Sequence, residues 1–218
     1  MGGKYSKVAN PYYRDLKVLE GRSINEFNHK MNLIYKEDDS KIGIYFLNKR
    51  DLLFTFPDLT SVQIHEIIML FDSFQTDRIS SIDFWGGLIL LSSDNNDDKL
   101  SNCFKLIDTN HDNYIGYYDM TILLSCITRG VALLRGYQQL PYALIERYTI
   151  DLFKNNRHLL NPNGEIRLID FMSYVLTDAV VSQYISALGM PVAEVDAGNT
   201  MMIIMNIMVV MMILVIMI

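Results

Sequence analysis

Oxygen-bearing side chains are spaced for cation binding in the stretch D-T-N-H-D-N-Y-I-G-Y-Y-D, residues 108–119. They fall at positions 1, 3, 5 and 12 of the stretch, as Asp108, Asn110, Asp112 and Asp119. A hard cation such as calcium binds about six to eight oxygen atoms with flexible geometry, and this spacing allows a short loop to wrap around one ion. We therefore predict a calcium site to which the backbone carbonyl of Tyr114 also contributes, while Gly116 contacts the ion through a water molecule.

Amphipathic helices are predicted on both sides of this loop. Apolar residues recur at the i, i+3, i+4, i+7 spacing that marks one face of a helix. Before the loop they are Leu100, Cys103, Phe104 and Ile107, and after it they are Met120, Leu123, Leu124 and Ile127. The segment is therefore expected to fold as a helix–loop–helix unit around an acidic loop. The alternative is a solvated, Asx-rich turn between two helices that holds no ion.

This helix–loop–helix segment resembles an EF-hand, the unit of a large superfamily of calcium-binding proteins. The sequence departs from the usual EF-hand pattern at two positions of the loop. Position 6 is Asn113 rather than glycine, and asparagine tolerates the left-handed conformation that the turn needs. Position 12 is Asp119 rather than glutamate, and its shorter side chain reaches less far toward the ion. We therefore expect weaker calcium binding, or a site that accepts the smaller Mg²⁺ ion.

Three further copies of the unit are predicted from the apolar residue at loop position 8 and the helix that follows it. They are residues 72–83, with Ile79 at position 8 and Asp83 at position 12; residues 159–170, with Ile166 and Asp170; and an N-terminal copy with Leu47 and Asp51. Ion binding is not expected in the first two of these loops, because Phe74 at position 3 and Leu159 at position 1 replace oxygen ligands. In the N-terminal copy, Asn48 predicts a helix start, and no ligand pattern precedes it, so this copy is either a vestigial hand or an ordinary helix connection.

The four units are expected to pair, the first with the second and the third with the fourth. Leu47 and Ile79 would then lie in one short two-stranded contact, and Ile115 and Ile166 in the other. This arrangement predicts a mainly α-helical fold of paired EF-hands in two lobes. A longer link at residues 128–139 makes the chain similar to the calcineurin B and neuronal calcium sensor families. That resemblance implies that ion binding swings helices apart and exposes an apolar groove for an amphipathic target helix.

Segment boundaries follow from these units and from the composition of the 218-residue chain. The segments are a basic arm at 1–23, an N-terminal pair of units at 24–95, a C-terminal pair at 96–188, a linker at 189–200 and a hydrophobic tail at 201–218. The formal net charge of −6, without a basic stripe that has interleaved aromatics, argues against nucleic-acid binding. Cys103 and Cys126 lack a CxxC partner and are predicted to be buried thiols of a protein in a reducing compartment.

The N-terminal segment carries the features of a membrane signal. The sequence M-G-G-K-Y-S matches the N-myristoylation pattern, in which Gly2 is acylated after the removal of Met1. The first 36 residues contain seven Lys or Arg against three Asp or Glu. Such positive charge strengthens the marginal membrane binding of a single acyl chain. The alternative for this segment is a solvated basic arm.

The C-terminal tail, residues 201–218, is apolar throughout except for Asn206. As a helix it would be roughly 27 Å long, which is just under the thickness of a typical hydrocarbon core. Three interpretations remain open. The tail is a membrane anchor, or a helix that docks in the protein's own hydrophobic groove, or a low-complexity segment without a mechanical role.

No catalytic motif is found in the sequence. The four histidines are scattered, and neither an HExxH nor a GxSxG motif occurs. We therefore do not expect an enzyme. The sequence predicts a calcium-binding regulatory protein that binds a protein partner in the cytoplasm or at the cytoplasmic face of a membrane. The alternative is a constitutive scaffolding subunit, built from EF-hand units, with little or no calcium response.

Overall fold

The computed structural model describes Leu19 and residues 21–37, 45–72, 75–135 and 139–177. Within these residues the chain is mainly α-helical, as the sequence predicts, with two small antiparallel sheets. No helix in the described ranges has the length and apolar character needed to cross a membrane. The predicted acylation site at Gly2, the linker and the hydrophobic tail lie outside the described residues.

The helices and strands alternate in the order expected for successive helix–loop–helix units. Their bounds are α1 Ile24–Glu37, β1 Phe46–Asn48, α2 Lys49–Thr55, α3 Ser61–Phe71, β2 Arg78–Ser80, α4 Ser81–Leu91, α5 Asn96–Lys105, β3 Tyr114–Ile115, α6 Tyr117–Arg135, α7 Tyr142–Asn155, β4 Ile166–Arg167 and α8 Leu168–Thr177. A short 3₁₀ turn, Arg157–Leu159, follows α7. Three of the four strands are followed directly by a helix, and Gly116 alone separates β3 from α6.

Side-chain caps explain where two of these helices begin. Asn48 accepts hydrogen bonds from the backbone N–H groups of Arg50 and Asp51, at 2.8 and 3.1 Å. The carboxylate of Asp51 accepts one in return from the N–H of Asn48, at 2.9 Å. This reciprocal capping box fixes the start of α2 and confirms the helix start predicted at Asn48. Thr60 and Gln63 form the same kind of box at the start of α3.

The two sheets join neighbouring loops in the register that the sequence predicts. β1 and β2 are antiparallel with Leu47 opposite Ile79, and β3 and β4 are antiparallel with Ile115 opposite Ile166. All four side chains are buried, so each contact adds apolar area to the core as well as backbone hydrogen bonds. These two predicted residue contacts are therefore confirmed.

The apolar helix faces predicted around loop 108–119 are confirmed. Seven of the eight side chains are buried and Leu124 is half-buried: Leu100, Cys103, Phe104, Ile107, Met120, Leu123 and Ile127. The link predicted at residues 128–139 is helical over its first part, because α6 continues to Arg135. The run V-A-L-L-R contains good helix formers, and the next proline along the chain is Pro141, just before α7.

The buried apolar side chains of both halves of the described chain form one continuous core. Every residue of α4 is buried in it. The ring of Trp85 lies 5.9 Å from that of Phe56 and 5.1 Å from that of Phe84, measured between centroids. Its indole N–H donates to the hydroxyl of Tyr45 at 3.1 Å, so the polar edge of this buried ring is satisfied.

Candidate metal centre

The loop between α5 and α6 turns through two residues with left-handed backbone. His111 and Asn113, at loop positions 4 and 6, have φ angles of 58° and 63°. Asparagine adopts this region more readily than most residues, so the turn is kept without the usual glycine, as predicted. The loop of residues 72–83 turns in the same way, since Gln75 and Asp77 at the same two positions have φ angles of 55° and 57°.

Asp108, at loop position 1, is a buried carboxylate that is only half satisfied. The residue is 3% exposed, and its Oδ2 accepts a hydrogen bond from the backbone N–H of Asn113 at 3.0 Å. Its Oδ1 is buried without a hydrogen-bond partner in the described part of the chain. A buried carboxylate oxygen without a partner carries a large desolvation cost, which a cation at that atom would offset.

Asn110 and Asp112, at loop positions 3 and 5, are exposed and bonded to each other. The amide Nδ2 of Asn110 donates to Oδ2 of Asp112 at 2.8 Å, and the backbone N–H of Asp112 donates to Oδ1 of Asn110 at 3.3 Å. Oδ1 of Asp112 accepts from the backbone N–H of Tyr114 at 2.8 Å. Ligation of a cation by Asn110 requires its side-chain oxygen, so the amide group must release Asp112 before both residues bind the same ion.

Asp119, at loop position 12, lies in the first turn of α6 and remains open to solvent. Its Oδ2 accepts one long hydrogen bond, from the backbone N–H of Gly116 at 3.4 Å. The acidic residues at position 12 of loops 72–83 and 159–170 are bound by arginines. Asp83 pairs with Arg129, and Asp170 pairs with Arg167, whose Nε lies 3.1 Å from its carboxylate. Among the described residues, Asp119 forms no such pair, so this carboxylate is available to a cation.

The loop of residues 159–170 closes through its own side chains. Oδ1 of Asn161 accepts from the backbone N–H groups of Asn163 and Glu165, at 2.9 and 3.0 Å. Its amide Nδ2 donates to the carboxylate of Glu165 at 2.8 Å. Gly164 provides the left-handed turn, with φ of 77°. A carboxamide thus organises the backbone N–H groups of this loop, and β4 at its end pairs with β3.

The predicted ligands of loop 108–119 lie in one loop, but their carboxylates are not drawn together. The described residues contain no group of three or more His, Cys, Asp or Glu side chains that could share a metal ion. Asp112 and Asp119 each accept a hydrogen bond from the loop backbone. The donor set of three carboxylates, one carboxamide and the carbonyl of Tyr114 fits a hard cation. A carboxylate has two oxygens with about four lone-pair sites, so it can accept a backbone N–H and bind a cation at the same time. The hydrogen bonds of Asp112 and Asp119 are therefore compatible with an ion.

Two features of these loops could not be read from the spacing of ligands alone. The first is the role of Asn161, whose side chain accepts two backbone hydrogen bonds of loop 159–170. The sequence predicted only that this loop lacks an oxygen ligand at position 1. The second is the pairing of position 12 with arginine. Arg167 precedes Asp170 by three residues, which is a local signal on a helix start. Arg129 is distant from Asp83 in sequence, so no local pattern indicates that pair.

The comparisons with known proteins assign no family to the chain. No protein-family model matches it, and no curated protein sequence matches it.

Proposed function

We propose that the protein is a calcium-binding regulatory protein of the EF-hand type, which binds one ion in loop 108–119 and a protein partner elsewhere on its surface. The ligands proposed are the side chains of Asp108, Asn110, Asp112 and Asp119 and the backbone carbonyl of Tyr114. Mg²⁺ is the alternative ion, because the aspartate at position 12 is shorter than glutamate. A bound cation would neutralise the charges of Asp108, Asp112 and Asp119 and fix the loop between α5 and α6.

The observation that carries the proposal is the half-satisfied carboxylate of Asp108. It is buried to 3% exposure at loop position 1, and its Oδ1 lacks a hydrogen-bond partner within the described residues. A solvated Asx turn would place this side chain in water, where both oxygens are satisfied at no cost. Burial of a charged oxygen next to the other predicted ligands instead supports a role for a cation at this atom.

The strand pairing supports the proposal that the helix–loop–helix units form EF-hand pairs in two lobes. The residues at loop position 8, Ile115 and Ile166, face each other directly across β3 and β4. Leu47 and Ile79 do the same across β1 and β2. In this arrangement the ion-free loops keep a structural role, because each one supplies the strand that its neighbour needs.

Partner binding and membrane association are proposed from the sequence. An amphipathic target helix is the partner implied by the resemblance to neuronal calcium sensors. Acylation at Gly2 with the basic N-terminal arm, or the tail at 201–218, would hold the protein at the cytoplasmic face of a membrane. Fractionation of the full chain, of Gly2→Ala and of a chain ending at Thr200 tests this part. Recovery of all three in the soluble fraction would contradict it.

A second candidate function is a constitutive helical platform, which one observation favours. Gly86, Gly87 and Gly130 bring the backbones of α4 and α6 into direct contact, which restricts movement of the helix that follows the ion loop. A dye that reports exposed apolar surface separates the two candidates. Its fluorescence is expected to change with calcium for the regulatory protein, and to be the same in calcium and in chelator for the platform.

Titration calorimetry with calcium tests the ion site. We expect a saturable heat for the parent chain and no heat for Asp108→Asn, which removes one ligand charge but keeps the side-chain shape. Asp97→Asn, at an exposed position in the first turn of α5, removes the same charge outside the loop and should bind as the parent does. A parent chain without heat in either calcium or Mg²⁺ would rule out the ion site.

A further inference from the structure

α4 contacts elements from both pairs of helix–loop–helix units. All of its side chains are buried. Phe84 packs edge-on against Phe71 of α3, with ring centroids 5.5 Å apart, and Trp85 stacks on Phe56 at the end of α2. α4 also packs along α6, the helix that follows loop 108–119. It is therefore an element through which the N-terminal and C-terminal pairs share one core.

The backbones of α4 and α6 approach each other more closely than side chains would permit. A Cβ atom added at Gly87 would lie 2.7 Å from the carbonyl carbon of Gly130. One added at Gly130 would overlap the carbonyl oxygen of Asp83, and one added at Gly86 would overlap the side chain of Ile127. Because packed interiors have few voids, such a contact leaves little room for either helix to slide or tilt alone.

An ion pair joins the same two helices. The guanidinium of Arg129 on α6 donates to the carboxylate of Asp83 on α4, and the carboxylate side chain is 3% exposed. Asp83 belongs to the N-terminal pair and Arg129 to the C-terminal pair. Separation of the helices would break this pair between a buried carboxylate and a guanidinium, so the pair stabilises the contact.

We infer that the contact between α4 and α6 joins the two pairs of units into one cooperative folding unit. A perturbation in the sheet of β3 and β4 then changes the stability that is sensed at Trp85, although Trp85 lies in the other pair. One consequence rests on the function proposed above: an ion in loop 108–119 stabilises the N-terminal pair as well as its own loop.

Urea unfolding of the full chain in chelator tests the inference without any ion. Trp85 is the only tryptophan, so its fluorescence reports the N-terminal pair, while circular dichroism reports all helices. Ile166→Ala, at a fully buried position of β4, is expected to lower both midpoints together by about 1 M. Ile169→Ala, at a position that is 58% exposed, is the matched control and should change neither. If the midpoint of the Trp85 fluorescence transition is unchanged in Ile166→Ala, the inference is overturned. If Ile166→Ala does not fold, Ile166→Val replaces it.

Disruption of the contact gives the second test. Gly130→Ala forces the helix backbones apart, and the fluorescence and dichroism transitions, coincident in the parent, are expected to separate. If Gly130→Ala does not fold, Ile127→Ala replaces it, because this variant removes the side chain next to Gly86. The control for Ile127→Ala is Ile122→Ala, on the exposed face of α6. Coincident transitions in every folded contact variant would show that this contact does not join the pairs, and would overturn the inference.

Calcium titrations separate this inference from the ion site. In the parent, calcium is expected to raise the Trp85 midpoint, and Asp108→Asn should abolish the rise. Calorimetric heat without a rise in the midpoint of the Trp85 fluorescence transition contradicts the inference and still supports the ion site. Coincident transitions without any calcium heat contradict the ion site and support the inference.

Discussion

Arg129 donates a hydrogen bond to the buried carboxylate of Asp83, which is the residue at position 12 of loop 72–83. In an ion-binding loop this position would supply a ligand. Here the carboxylate is part of the contact between α4 and α6 instead.

Arg129→Gln is expected to destabilise the protein by about 2 kcal/mol, because it leaves the Asp83 carboxylate buried without a positive partner. The cost is below that of a fully buried pair, since the Arg129 side chain is 40% exposed. Urea unfolding measures it, with Arg147→Gln at an exposed position of α7 as the control. The double variant Asp83→Asn/Arg129→Gln should recover part of the loss. Equal stability of Arg129→Gln and Arg147→Gln would contradict the assignment.

Acid sensitivity should depend in part on Asp58. The guanidinium of Arg22 donates to this carboxylate and lowers its pKa below the ordinary value of 3.8. Because the pKa is lower in the folded state, the stabilisation is complete above pH 3.8 and is lost as the pH falls through the folded value. Asp58→Asn should cost less than about 1 kcal/mol near neutral pH, since the pair is exposed. The difference from the parent should disappear in urea unfolding near pH 2, and a constant difference would refute this account.

Both cysteines should be slow to react in the folded protein. Burial raises the pKa of Cys103 from 9.0 to about 12, and burial with the nearby Asp83 carboxylate raises that of Cys126 to about 12 as well. The thiolate fraction near pH 8 is then lower by roughly a thousandfold. A chromogenic thiol reagent should label both residues only in urea, and Cys126→Ser assigns the remaining rate to Cys103. Rapid labelling without denaturant would contradict the raised pKa values.

The same thiols predict how stability changes in alkali. The unfolded thiols ionise from pH 9.0 upward, while the folded ones stay protonated to about pH 12. The free energy of unfolding therefore falls as the pH rises through this window. A double Cys103→Ser/Cys126→Ser variant should show a weaker fall, and urea midpoints between about pH 8 and pH 10 measure the difference.

The sequence predicted the local parts of the fold to the level of single residues. The pairing of Leu47 with Ile79 and of Ile115 with Ile166 follows from the fixed place of position 8 in each loop. Helix starts with side-chain caps, such as that at Asn48, are local in the same sense. Periodicity and capping act over a few residues, so a single sequence is enough to find them.

Features that depend on distant parts of the chain could not be predicted. The approach of Gly130 to α4 depends on how two helices cross, and the sequence alone does not give that angle. The hydrogen bond from Arg129 to Asp83 depends on the same helix crossing. In loop 108–119 the turn at Asn113 was predictable, whereas the burial of Asp108 depends on the packing of the surrounding helices.

Asn161→Ala is expected to weaken the loop of residues 159–170 and, through it, the neighbouring ion loop. Its side chain accepts two backbone hydrogen bonds, so its removal should cost about 1–2 kcal/mol in urea unfolding. Because β4 pairs with β3, calcium affinity at loop 108–119 should also fall, by roughly threefold to tenfold. Asn163→Ala removes an exposed amide from the same loop and is the matched control. If both variants bind calcium as the parent does while only Asn161→Ala loses stability, the two loops are not coupled through their sheet.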